Sequence, residues 1–210
     1  YFVQAAVESA KINSGSHNAG VVVLDAKTGH VVAMANDTTF NPSANLLRQS
    51  DFDMGNPSIT SPFEPGSVNK IVTATAAIHY NVAKPTEVFQ VPGQIQMDSV
   101  TVRDAWVHGV VPYTMTGIFG KSSNVGTLMI AQRVGKTRFA EMLRKFGLGH
   151  TTGIELAGES AGVVPALRQW QGGSFANLPI GQGLSLTLLQ MASMYQTIAN
   201  DGLLSLIHIS

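Results

Sequence analysis

The chain has 210 residues, enough for one sizeable domain with its own hydrophobic core. Hydrophobic residues make up 44% and charged residues 12%, a balance that excludes intrinsic disorder. Thirteen Lys/Arg offset thirteen Asp/Glu with no strong basic cluster, so neither a nucleic-acid partner nor a polybasic hold on an anionic membrane is expected. Cysteine is absent, which removes disulfides, zinc-thiolate sites and cysteine nucleophiles. The six histidines (His17, His30, His79, His108, His150, His208) show no H-E-x-x-H or similar spacing, and no metal or other cofactor is expected.

In chain order, residues 1–10 lack the charged start and apolar core of a signal peptide, and no run approaches the roughly 18 apolar residues of a membrane span. The chain therefore reads as a soluble protein or as a piece whose anchor lies upstream. Residues 20–25 (GVVVLD) and 30–35 (HVVAMA) form a hairpin around the turn at 26–29. Both runs are nearly continuous, which suggests strands covered on both faces. Residues 37–65 are rich in Asn, Ser, Pro and Asp and read as a long irregular stretch.

Pro65-Gly66 then leads into a buried helix over 67–80, although Val68, Ile71, Val72 and Thr75 are β-branched and need tertiary burial to hold helical form. Residues 85–111 give short extended pieces at 87–91 and 100–102. A second apolar helix covers 122–134 and stops at Gly135. A third covers 137–146, with Phe139, Met142, Leu143 and Phe146 on one face and Gly147 just beyond. Residues 153–165 and 169–180 are loop-rich. A fourth helix covers 185–200, with Leu188, Met191, Ala192, Tyr195 and Ala199 on one face. Strands first and helices later, without regular alternation, give the α+β class. The apolar ending at 203–210 (LLSLIHIS) is expected to be a truncated or non-native tail, leaving 1–202 as the domain proper.

The chemistry concentrates in Glu64-Pro65-Gly66-Ser67-Val68-Asn69-Lys70. A serine at a helix start with a lysine three residues on is a workable nucleophile and base, because i and i+3 share a helix face. The helix N-terminus adds backbone N–H groups suited to an oxyanion. Alone, S-x-x-K also fits an N-cap and a solvated lysine, yet Lys70 sits among residues that imply a buried helix. The second element is Ser-x-Asn, namely Ser122 and Asn124 within Lys121-Ser122-Ser123-Asn124-Val125-Gly126. Each could be an ordinary N-cap. Taken with S-x-x-K upstream, Ser122 offers a hydroxyl to relay a proton, and Asn124 an amide to hold a carbonyl or orient Lys70. Arg103, Asp104, Trp106, Trp170 and Phe175 are read as surface or packing residues.

S-x-x-K followed by S-x-N is the signature shared by penicillin-binding proteins and serine β-lactamases. The chain resembles the class B penicillin-binding proteins, the monofunctional transpeptidases of division and elongation. The resemblance rests on Phe63 to Ser67, Lys121 to Gly126, Leu178-Pro179-Ile180-Gly181-Gln182-Gly183 and the opening hairpin, and it covers nearly everything from 20 to 202. The run from Glu64 to Thr73 is most similar to actinobacterial septal members. The resemblance implies a β-lactamase/transpeptidase-like fold, an antiparallel sheet flanked by helices with an all-helical lobe, incomplete at the C-terminus.

It implies, further, that Ser67 attacks the D-Ala-D-Ala carbonyl of a peptidoglycan stem peptide, and that a neighbouring stem's amine resolves the acyl-enzyme into a cross-link. β-Lactams would be trapped on Ser67. The implied location is the extracytoplasmic face of a bacterial membrane, with an anchor outside this chain and other cell-division proteins as partners. The family's K-[ST]-G motif is expected after the Ser-x-Asn helix; Lys27-Thr28-Gly29 precedes Ser67 and reads as turn chemistry, so the fragment by itself is expected to be impaired. A serine β-lactamase or β-lactam sensor of the same fold is the nearest alternative, although class A has S-D-N where this chain has Ser123. A non-catalytic scaffold is the other. An α/β-hydrolase is excluded, since Pro65 and Asn69 replace the glycines of G-x-S-x-G.

Overall fold

A carboxylate-built turn starts the sheet. Asp25 Oδ1 accepts from Lys27 N (3.0 Å), Thr28 N (2.8 Å) and Thr28 Oγ1 (2.9 Å), and Gly29 closes the turn at φ 75°. Lys27-Thr28-Gly29 is thus a turn. It joins β1 (Gly20–Leu24) to β2 (Val31–Asn36), which pair antiparallel with Val22 opposite Met34. The computed structural model describes residues 1–37, 39, 43, 55–171 and 173–204. Most of the irregular stretch at 37–65, and all of the expected tail beyond 204, lie outside these.

The described chain forms two compact units. The first comprises Tyr1–Phe63, Gly147–Gly162 and Leu186–Ser210. In it, β1 and β2 are accompanied by α1 (Phe2–Ser14), α2 (Pro57–Thr60) and α8 (Leu188–Ala199). No apolar period announces α1, because Val7 is its one buried residue. Ile59, Ile154 and Leu189 form a core on which Val22, Leu24, Val31 and Met34 pack. The hairpin is not covered on both faces: Val32 is 66% exposed. Valine runs serve strand propensity as well as burial, so continuity alone does not report two covered faces.

Helix α8 also departs from expectation. Thr187 caps it, with Oγ1 accepting from Gln190 N, so the helix begins later than 185. Of the expected apolar face, Tyr195 and Ala199 are exposed, while Gln190, Ser193, Gln196 and Thr197 are buried. Burial of the two glutamines is tolerable because their amide nitrogens are satisfied: Gln190 Nε2 donates to His150 O and Ala161 O, and Gln196 Nε2 to Ala26 O. Leu189→Ala is expected to cost about 2–5 kcal/mol, read as a lower denaturant midpoint. Ile198→Ala, on the exposed face, should stay within about 0.5 kcal/mol. Equal losses would contradict this face assignment.

The second unit comprises Glu64–Phe146 and Val163–Ser185. Its centre packs α3 (Lys70–His79), α5 (Asn124–Val134) and α6 (Lys136–Lys145) together. The β-branched α3 survives through burial, with Val72, Thr73, Ala76 and Ala77 fully enclosed. On α6, Phe139, Met142 and Leu143 are buried, followed by Phe146 just past the last turn. Phe139, Trp170 and Phe175 form a mutual aromatic cluster, which makes the last two packing residues, as expected. The unit also holds α4 (Met115–Gly120), α7 (Ser174–Asn177) and two antiparallel ribbons. These pair β3 (Val88–Val91) with β6 (Val111–Thr114), and β4 (Gln94–Met97) with β5 (Val100–Arg103). The lobe expected to be all-helical is helical at its centre and carries these ribbons in addition. Helices and antiparallel strand pairs without βαβ alternation make the chain α+β.

Candidate active site

Ser67 lies in a single 3₁₀ turn, Gly66–Asn69, and the α-helix proper begins at Lys70 rather than at Ser67. In 3₁₀ geometry residues i and i+3 eclipse, so Ser67 and Lys70 fall on the same edge more directly than in an α-helix. Lys70 N donates to Ser67 O across that turn. Ser67 is exposed, whereas Lys70 is only 4% exposed. The nucleophile candidate thus meets solvent while its neighbour is withdrawn from it.

The turn is laced to the loop at 178–183. Gly66 N donates to Gly181 O (3.0 Å), Gly183 N donates to Glu64 Oε1 (2.8 Å), and the buried Asn69 Nδ2 donates to Leu178 O (2.8 Å). Asn69, inside S-x-x-K, therefore has a positioning role that its place in the motif does not reveal.

The Ser-x-Asn segment comes from the junction of α4 and α5. Ser123 and not Ser122 is the N-cap of α5: its Oγ accepts from Gly126 N (2.8 Å). The capping role considered for Ser122 and Asn124 is taken by the residue between them. Ser122 sits in the left-handed region at φ 55°, with its N donating to Phe119 O. A non-glycine residue held there costs energy, and such strain is commonest at functional sites. In this conformation Ser122 meets Lys70, whose Nζ donates to Ser122 O (2.6 Å) and Ser122 Oγ (3.0 Å). Asn124 opens α5, and its Nδ2 donates to Arg103 O (3.0 Å). Among the described residues no hydrogen bond joins Lys70 to Ser67 Oγ or to Asn124. The structure brings Lys70 and Ser122 together, places Ser67 one tight turn away, and fixes Asn124 to the end of β5.

Asp104, expected to be an ordinary surface or packing residue, is instead a buried anchor of the motif. Its fully buried carboxylate accepts from Ser123 Oγ (2.8 Å to Oδ2) and from Val125 N (3.0 Å to Oδ1). It therefore secures the start of α5 from beneath the motif. No local pattern marks it; β5 and α5 are some twenty residues apart in the chain.

Burial pushes the Lys70 ammonium down from 10.5 to about 8, with the Asp104 carboxylate acting in the opposite direction. A lysine in that range is a competent proton acceptor near neutral pH. The arrangement supplies a hydroxyl on a helix-start turn, a lysine able to shed its proton, and a second hydroxyl bonded to that lysine.

Residues 19–210 match the penicillin binding protein transpeptidase domain family. The chain belongs to that family. It is 68% identical over 202 residues to penicillin-binding protein PbpB of Mycolicibacterium smegmatis, covering 96% of this chain and 31% of that protein. It is 34% identical over 199 residues to the peptidoglycan D,D-transpeptidase FtsI of Escherichia coli, covering 94% and 32% respectively. The chain thus spans about a third of the length of the curated relatives it matches. The structure of penicillin binding protein 3 of Mycobacterium tuberculosis complexed with ampicillin superposes with a TM-score of 0.96. That likeness has 64% identity and covers 99% of this chain and 46% of that one. Among the described residues no helix of this transpeptidase domain is long and apolar enough to cross a membrane.

Proposed function

We propose that this chain carries part of a peptidoglycan D,D-transpeptidase that is also a target of β-lactams. Residues 1–202 would be part of a transpeptidase domain. Ser67 is the nucleophile and Lys70 the base. Lys70 Nζ takes the Ser67 proton as Oγ bonds to the carbonyl carbon between the terminal D-alanines. Ser122, hydrogen-bonded to Lys70, relays that proton to the leaving nitrogen, and D-alanine departs as the amide C–N bond breaks. The amine of a neighbouring stem peptide then attacks the ester, forms the cross-link and returns Ser67 to its hydroxyl. Asn124, anchored through Nδ2 on Arg103 O, has its carboxamide oxygen to orient the peptide.

The observation that carries this reading is the buried Lys70, bonded to Ser122 and poised near pH 8 within one 3₁₀ turn of Ser67. The relatives' names and the ampicillin-complexed neighbour support the substrate class. The resemblance to septal members supports an extracytoplasmic location, an anchor upstream and division proteins as partners. Incubation of the full-length protein with ampicillin, followed by peptide mass spectrometry, tests the assignment. Expected is one adduct with the mass of the intact drug on the Ser67 peptide, absent in Ser67→Ala. An adduct on any other residue overturns it.

A further inference from the structure

Behind Ser123 lies a second titratable group that the reaction does not use. His108 Nε2 lies 3.0 Å from Asp104 Oδ2, and its Nδ1 lies 2.7 Å from Gly109 O. The side chain is 8% exposed, and Trp106 stacks on the ring at 5.4 Å with an interplanar angle of 24°. Both ring nitrogens therefore face acceptors. A proton on Nε2 makes the 3.0 Å contact a hydrogen bond onto the carboxylate. A fully buried carboxylate needs such a partner, because an uncompensated buried charge is costly.

Among the described residues, His108 is the basic side chain within ion-pair distance of Asp104. Asp104 is in turn the charged group acting on Lys70, with which it forms no direct ion pair. Arg103 spends Nε on Gln94 (2.8 Å), and Lys121 is exposed.

We propose that the His108–Asp104 pair is a positioning and charge-balancing device for the Ser67 site. Asp104 fixes Ser123 and Val125, which seat Ser122 in its left-handed conformation against Lys70. His108, held flat by Trp106, sets a donor against the carboxylate so that Lys70 does not feel its full charge. The pair touches no reacting atom; it acts through Ser122 and Lys70. This rests on the reading of Lys70 as base.

The two members pull Lys70 in opposite directions, which separates this role from a merely structural one. The test is competitive acetylation of the Lys70 amine across pH in the full-length protein, beside the rate of ampicillin adduct formation on Ser67. In the parent the amine is expected to titrate near 8. Asp104→Asn removes the negative charge and moves the Lys70 midpoint to lower pH. His108→Gln leaves the carboxylate uncompensated and moves it to higher pH. Both variants slow adduct formation at neutral pH by about tenfold or more, the first through a looser motif and the second through a more fully protonated base. Midpoints that stay together, or move in the same direction, overturn the proposal. If no drug adduct forms on Ser67 even in the parent, the transpeptidase reading falls instead, and the acetylation midpoints still decide the role of the pair. Trp106→Phe keeps a stacking ring and should leave the midpoint where it is; a shift as large as that of His108→Gln also counts against it.

Discussion

Lys70→Met is expected to lower the rate of ampicillin acylation at Ser67 by about 10²–10⁴-fold at neutral pH, the range for losing a general base. At a midpoint of about 8, about one Lys70 in ten is free amine at pH 7. An ordinary lysine near 10.5 would offer about three in ten thousand, so burial raises the competent fraction about 300-fold. The parent's acylation rate should accordingly rise with pH and level off above about 8. The sign for stability runs the same way. Lys70 titrates lower in the folded chain than in the unfolded one, so the fold binds fewer protons between the two values. Stability gains from this group as pH rises from about 8 towards 10.5, and the buried ammonium is a cost below that window. Lys70→Met removes the cost and should melt no lower than the parent, so lost acylation is not lost folding. Stopped-flow acylation with a chromogenic cephalosporin and a thermal melt read both halves. A variant that acylates at the parent rate, or a parent rate flat between pH 6 and 9, contradicts Lys70 as base.

Gly181→Ala should slow acylation by about 10²-fold, the scale of a misplacement of about 1 Å at a reacting group. A methyl on Gly181 would lie 1.8 Å from Gly66 O, a backbone atom that cannot rotate away, and Gly181 holds φ 85°. Either the loop at 178–183 retreats or the turn carrying Ser67 shifts. Both break the Gly66 N to Gly181 O hydrogen bond. Gly120→Ala, where a methyl would meet open space, is the comparison and should acylate at close to the parent rate. Equal rates in the two variants would show that the lacing does not position Ser67.

Much of the architecture is visible in the residues themselves. The Asp25 turn, the apolar face of α6 and the Gly135 stop after α5 follow from short-range chemistry, and the chain displays them in its order of residue types. The buried face of α8 was not legible, because its glutamines look like surface residues until the distant carbonyls of His150, Ala161 and Ala26 are known. The exposed outer hairpin face was hidden for a related reason: valine reports strand preference and burial with the same letter.

The candidate site divides along the same line. Sequence by itself determined Ser67, Lys70, Ser122 and Asn124 as the groups to watch, since their spacing sets which residues can share a turn or start a helix. Only tertiary structure decided that Ser123 does the capping, that Ser122 is twisted to meet Lys70, and that Asp104 and His108 stand behind them. The Asp104–Ser123 and Lys70–Ser122 contacts join segments about twenty and fifty residues apart. Their energy comes from burying charges against chosen partners, a property of the folded packing that no local run of residues encodes.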